Sequence, residues 1–104
     1  MIKAVVVGCI DYRYQKLLHD IVLREKLSYG DYDFITIPGG AGNFDILEKY
    51  LTISKKLHQP NKVVLTIHED CGAGVKLEDI KKAVLIARRV FGKYITISTH
   101  YLKL

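Results

Sequence analysis

Val63-Val64-Leu65-Thr66-Ile67 runs directly into His68-Glu69-Asp70-Cys71-Gly72-Ala73-Gly74, and the reading of the whole chain turns on that junction. The first half is apolar with almost no alternation, which suits a strand of a parallel sheet covered on both faces. The second half, with two glycines, turns away from the sheet. His68 and Cys71 therefore sit where a buried strand stops. The chain holds only one other cysteine, Cys9, and it too follows an apolar run, Ala4-Val5-Val6-Val7-Gly8.

Outward from this junction, strand-like and helix-like runs alternate. Strands are expected over Lys3 to Gly8, Asp33 to Ile37, Lys62 to Ile67 and Tyr94 to Ser98, with Thr99 to Leu104 as a tail. Helices are expected over Tyr14 to Leu27, Phe44 to His58 and Leu77 to Phe91, from apolar residues recurring every three or four positions. Asn43 can cap the second, and Gly92 closes the third. Such alternation implies an α/β fold: three layers, α/β/α, around a four-stranded parallel sheet joined by right-handed crossovers. Strand order 2-1-3-4 puts the reversal of winding between strands one and three. Open sheets bind ligands outside that point, at the carboxyl edge, and these are the strands that deliver Cys9 and His68.

At 104 residues the chain is read as a single domain over positions 1–104, and 49% hydrophobic residues suffice for a core. Gly8 and Asp11 interrupt the first apolar segment, so no run reaches the length of a membrane span. With no signal-peptide pattern at the N-terminus, a cytoplasmic location is the default expectation. There both cysteines stay reduced, which favours metal or chemistry over a disulfide. The formal net charge of +5 arises from basic residues spread along helix-like segments among acids, so no nucleic-acid partner is expected.

Three groups can carry chemistry. Cys9, His68 and Cys71 offer two thiolates and an imidazole, a three-ligand set that leaves a fourth position open as in catalytic zinc sites. The same residues also suit two buried cysteines and a capping histidine, or a redox pair. Asp11 and Arg13, two apart on an extended segment, can form a carboxylate-guanidinium pair in which Arg13 keeps Asp11 ionised; an ordinary surface pair reads the same. Gly39, Gly40 and Gly42 can offer backbone N–H groups to an anion or can simply permit close packing. Glu69 and Asp70 are expected in solvent and His19 and His58 on helix surfaces. His100 is expected in the tail beyond strand four, where a proton relay is conceivable.

Taken together these residues resemble the β-class carbonic anhydrases. The family's Cys-x-Asp-x-Arg matches Cys9-Ile10-Asp11-Tyr12-Arg13, and its His-x-x-Cys-Gly matches His68-Glu69-Asp70-Cys71-Gly72. Between them, Gly30-Asp31 and Ala41-Gly42-Asn43 also match, and the order agrees over about residues 3 to 99. The resemblance implies a Zn2+ ion on Cys9, His68 and Cys71, and reversible hydration of carbon dioxide to bicarbonate. It implies that Asp11 accepts a hydrogen bond from zinc-bound hydroxide or takes the fourth zinc position, and that Arg13 controls that choice. Backbone N–H groups of Gly42 or Gly72 would steady the substrate anion. A homodimer is implied as well, and the apolar stretch Ala83-Val84-Leu85-Ile86-Ala87 is wider than one buried face needs.

The sequence also departs from the pattern. Gly39-Gly40 stand where the family usually has Arg-Asn, and Tyr12 replaces its usual serine. The chain begins at strand one, without the family's N-terminal helical arm, and stops after strand four. These departures keep two other readings in play: a non-catalytic zinc- or anion-binding protein, and a zinc hydrolase acting on another small linear molecule such as carbon disulfide.

Overall fold

The computed structural model describes all residues, Met1 to Leu104. Four parallel strands, β1 (Ala4–Cys9), β2 (Tyr32–Ile37), β3 (Lys62–His68) and β4 (Thr96–Leu102), form one sheet in the order β2-β1-β3-β4. Helices α1 (Gln15–Arg24), α2 (Phe44–His58) and α3 (Asp79–Phe91) connect them, and short 3₁₀ turns stand at Tyr12–Tyr14 and Gly40–Gly42.

The uninterrupted apolar runs of β1 and β3 are the central pair because both their faces are covered. Val5, Val7, Val63, Leu65 and Ile67 face Leu47 and Leu51 of α2 and Ala83, Ile86 and Ala87 of α3. Ala4, Val6 and Val64 point the opposite way, onto Leu18, Ile21 and Val22 of α1. Alternate residues thus serve alternate layers, as the pleat of a strand requires. Burying each of these Val and Leu side chains contributes roughly 1.5–3 kcal/mol, which concentrates the stabilisation on the strands that end in Cys9 and His68.

Several boundaries differ from the sequence reading. Helix α1 stops at Arg24 because Lys26 takes a left-handed φ of 60°, while Leu27 N–H donates back to the Val22 carbonyl. Leu27 is still buried, as its apolar character suggests. Helix α3 starts at Asp79 rather than Leu77; Asp79 Oδ2 accepts from Lys76 N–H and closes the preceding turn, leaving Leu77 exposed. Tyr50 and Leu57 of α2 are exposed despite their apolar character, and Ser54 takes an inner position, where its hydroxyl donates to Asp33.

The largest correction concerns β4. It covers Thr96–Leu102, so His100 is a strand residue beside Thr66 and not part of a tail. A strand carrying Thr, Ser and His inside a sheet needs partners for them. His100 Nε2 meets Glu25 Oε2 at 2.8 Å, and Lys62 Nζ donates to Glu25 Oε1. The Ala83–Ala87 stretch is also not a free patch: Ala83, Ile86 and Ala87 face the core, and of the five only Leu85 is exposed.

Candidate functional site

The chain leaves β1 at Cys9 and turns through Ile10 and Asp11. Asp11 Oδ1 accepts Arg13 N–H at 3.0 Å, capping the 3₁₀ turn. Gln15 Nε2 donates to the carbonyls of Cys9 and Asp11, at 3.0 and 2.9 Å. A loop that follows a strand at the sheet edge is fixed in this way by its own side chains. The turn after β2 crosses above it. Gly40, at φ 54°, lies so close that a Cβ would stand 2.8 Å from the Thr66 carbonyl and 3.0 Å from Cys9 N. Only glycine fits there. Gly39 N–H, from the same turn, points at Cys9 Sγ from 3.4 Å.

The loop after β3 carries His68 and Cys71. His68 is 2% exposed. Its Nδ1 lies 2.7 Å from the Glu69 carbonyl, an acceptor only, so Nδ1 carries the proton and Nε2 presents its lone pair. Nε2 is buried and has no hydrogen-bond partner. A buried polar atom without a partner calls for an explanation. The donor atoms of Cys9, His68 and Cys71 lie within 4.8 Å of one another, and the two thiols are free. They are close enough to share one ion with bonds of roughly 2.0–2.3 Å after small side-chain adjustments. The Nε2 lone pair also stands 3.9 Å from Asp11 Oδ2. A carboxylate oxygen and an unpartnered imidazole nitrogen at this separation leave room for a cation. The residues therefore fit a zinc-type metal.

Asp11 and Arg13 are not an isolated surface pair. Arg13 Nε reaches Asp11 Oδ1 at 3.1 Å and Nη2 reaches Oδ2 at 2.7 Å, a two-pronged contact. Hydrogen bonds from the Arg13 side chain, then its backbone N–H, hold the Asp11 carboxyl down at about 2, against the smaller opposing effect of burial. The guanidinium then continues across the cleft. Nη1 donates to Asp70 Oδ2 and Nη2 to the Asp70 carbonyl, both at 3.1 Å. Asp70, expected in solvent, is exposed but ties the two ligand-bearing loops together through Arg13. Its φ of 52° is left-handed, a conformation Asp tolerates better than most residues. The other turn acid, Glu69, sends its carboxylate to Leu104 N–H.

Cys9, Asp11, Arg13, Cys71 and Gly72 line an open cleft of about 620 Å³, with the exposed side chains of Ile10 and Tyr12 beside them. Gly72 N–H faces no acceptor within the chain. Gly42 does not belong to this cleft. Its N–H is spent on the Gly39 carbonyl, and a Cβ there would stand 2.3 Å from a Val75 methyl carbon. Close packing explains Gly42, and its expected role as an anion donor is corrected. His100 is drawn away from the site by Glu25, so a proton relay through it has no geometric basis.

One residue beside the site carried no sequence signal. Tyr14, 2% exposed, stacks on the His68 ring with centroids 3.9 Å apart, and its hydroxyl donates to the Glu69 carbonyl at 2.9 Å. Burial, then the nearby Glu69 charge, raises its pKa, so the hydroxyl stays a donor. A tyrosine at the head of a helix reads as ordinary core; the one available hint was its place directly after Arg13.

Residues 1–101 match the model of a family described as "Putative carbonic anhydrase". No curated protein matches the chain significantly. Among solved structures, the carbonic anhydrase from Glaciozyma antarctica superimposes with a TM-score of 0.67 at 20% identity, over 94% of this chain and 74% of that one. The carbonic anhydrase from Streptococcus mutans gives 0.67 at 17% identity with the same coverage. A β-carbonic anhydrase isoform of Trichomonas vaginalis gives 0.53 at 20% identity, over 95% and 74%. At these identities the likeness is one of fold.

Proposed function

The chain belongs to this carbonic anhydrase family, and from that premise we propose that it is a zinc-dependent lyase that reversibly hydrates carbon dioxide to bicarbonate. The observation that carries the reading is the partnerless lone pair of His68 Nε2, buried within 4.8 Å of two free thiols. Cys9, His68 and Cys71 would hold the ion. When bound, zinc lowers the pKa of a coordinated water from 15.7 to roughly 7 and so supplies a nucleophile near neutral pH.

The chain's own residues do the rest. Asp11 stays ionised and accepts the hydrogen bond that orients the reacting water. Arg13 holds both Asp11 oxygens, which keeps the carboxylate ionised and fixed beside the ligand set. Gly72, which lines the cleft and whose N–H has no acceptor in the chain, steadies the oxygen on which negative charge develops. A homodimer and a cytoplasmic location complete the reading. The unpaired outer edge of β2, where Phe34 is part-exposed, supports the first, and two free cysteines support the second. Light scattering at micromolar concentration would give twice the chain mass.

Metal analysis of protein expressed in zinc-replete medium is expected to give one zinc per chain. Stopped-flow hydration with a pH indicator is expected to show activity that rises with pH and is lost in Cys9→Ala. Zinc-loaded wild type no faster than Cys9→Ala, even near pH 9, would reject the catalytic reading.

A further inference from the structure

Two donors share one acceptor beside the proposed zinc ligand. His68 Nδ1–H and the Tyr14 hydroxyl both donate to the Glu69 carbonyl, from 2.7 and 2.9 Å. A carbonyl oxygen has two lone pairs, and here both are used. That oxygen belongs to the peptide joining Glu69 to Asp70, and Asp70 sits at φ 52°. Rotating this one peptide would return Asp70 to ordinary φ. It would also swing the Glu69 oxygen away from His68. Nδ1 would then lose its acceptor, either ring nitrogen could carry the proton, and Nε2 would no longer be reserved as a lone pair. Arg13 holds the Asp70 carbonyl, on the other side of that residue, and does not restrain the Glu69 oxygen. Tyr14 does, from a fully packed position under the imidazole face.

We infer that Tyr14 is a positioning residue for His68: its hydroxyl pins the Glu69 carbonyl and its ring supports the imidazole, so that His68 is held as the Nδ1–H tautomer with Nε2 free to bind the metal. The metal-binding part rests on the zinc reading above; the tautomer does not.

The test uses the full chain labelled with ¹⁵N-histidine. In metal-free wild type, long-range ¹H–¹⁵N correlation is expected to show one His68 tautomer, with the proton on Nδ1. Tyr14→Phe keeps the ring and removes the hydroxyl. It is expected to show a mixture of tautomers, and its zinc affinity, by chelator competition, should fall about tenfold, as for other partners that support a metal ligand. Val22→Ala, in the same α1 core but away from the site, should lower the melting temperature and leave both readouts unchanged. Histidine signals and zinc affinity in Tyr14→Phe equal to wild type would overturn the inference, as would an equal change in Val22→Ala. Wild type that binds no zinc would instead sink the zinc reading, and the tautomer result would still decide the role of Tyr14. Should Tyr14→Phe fail to fold, wild type alone is decisive. Its Tyr14 hydroxyl proton should exchange slowly and show a nuclear Overhauser effect to the His68 ring; exchange as fast as at exposed Tyr29 would overturn the inference.

Discussion

Two carboxylates in this molecule are gripped by basic side chains, and they serve different ends. Asp11 is held by Arg13 at the carboxyl edge of the sheet, beside an open cleft and 3.9 Å from a bare imidazole nitrogen. Glu25 is held by Lys62 and His100 between the end of α1 and the sheet, and its own side chain is 9% exposed. Both have lowered pKa values. For Asp11 the chief cause is the hydrogen-bonded Arg13 side chain. At Glu25 burial alone would raise the value, and hydrogen bonds from Lys62, His100 and Ser98 together outweigh it. The difference lies in what each cluster leaves unpaired. The Glu25 cluster satisfies its members and joins α1 to β3 and β4. Its counterpart at Asp11 leaves the adjacent Nε2 without a partner. A depressed carboxylate alone does not mark a site; one next to an orphaned ligand atom does.

The sharpest way to break the comparison is His68→Ala, which removes the orphan. Zinc affinity should fall by more than the ~10–100-fold typical of losing a supporting partner, and hydration activity should vanish. The metal-free fold should survive, as read by circular dichroism and chelator competition. Glu25→Ala should do the reverse. Removing one member of a buried ion pair costs about 3–5 kcal/mol, and because Lys62 is still 29% exposed we expect about 2–3 kcal/mol by urea denaturation, with zinc affinity nearly unchanged.

Acid probes both carboxylates at once. Each binds protons less readily folded than unfolded, so the stability each lends is present above its ordinary pKa, 4.5 for Glu25 and 3.8 for Asp11, and is lost as pH falls through the lowered folded value. Melting temperature should therefore drop from about pH 4.5 down toward pH 2, and Glu25→Gln should flatten the upper part of that fall. The smallest effect is expected for Arg13→Lys. It keeps the charge and loses the fork that holds both Asp11 oxygens and Asp70. Activity should fall about tenfold with little change in melting temperature.

The sequence made the central strands plain because Val5 to Val7 and Val63 to Leu65 are buried on both faces and need no alternation. It also placed Cys9 and His68 at neighbouring strand ends, since winding order alone does that. The fourth strand was legible as far as Ser98, but its second half was not: Thr99 and His100 look like tail residues until Glu25, more than seventy positions away, supplies a partner for His100. Arg13 reaching Asp70 and Tyr14 lying under His68 were hidden for the same reason. Each depends on two loops meeting across the sheet, which no local pattern encodes. Gly42 misled in the other direction. A glycine in a turn reads alike whether its N–H is free or, as here, spent on Gly39, and only the packing of Val75 tells them apart.

The two ligand-bearing strands join parts of the chain far apart in sequence. Thr66, on β3, donates its hydroxyl to the Val7 carbonyl on β1 across a separation of 59 residues. An ion shared by Cys9, His68 and Cys71, as the proposed function requires, would span the same gap and act as a reversible staple closing more than half of the polypeptide into a ring. For a covalent tie around a loop of that size, the chain-entropy model gives about 4 kcal/mol of stabilisation. Because β1 is paired on both sides at the centre of the sheet, metal supply would then govern how readily the whole domain opens as well as whether it turns over substrate, and scarcity of the ion would show as faster global unfolding of a still-folded chain.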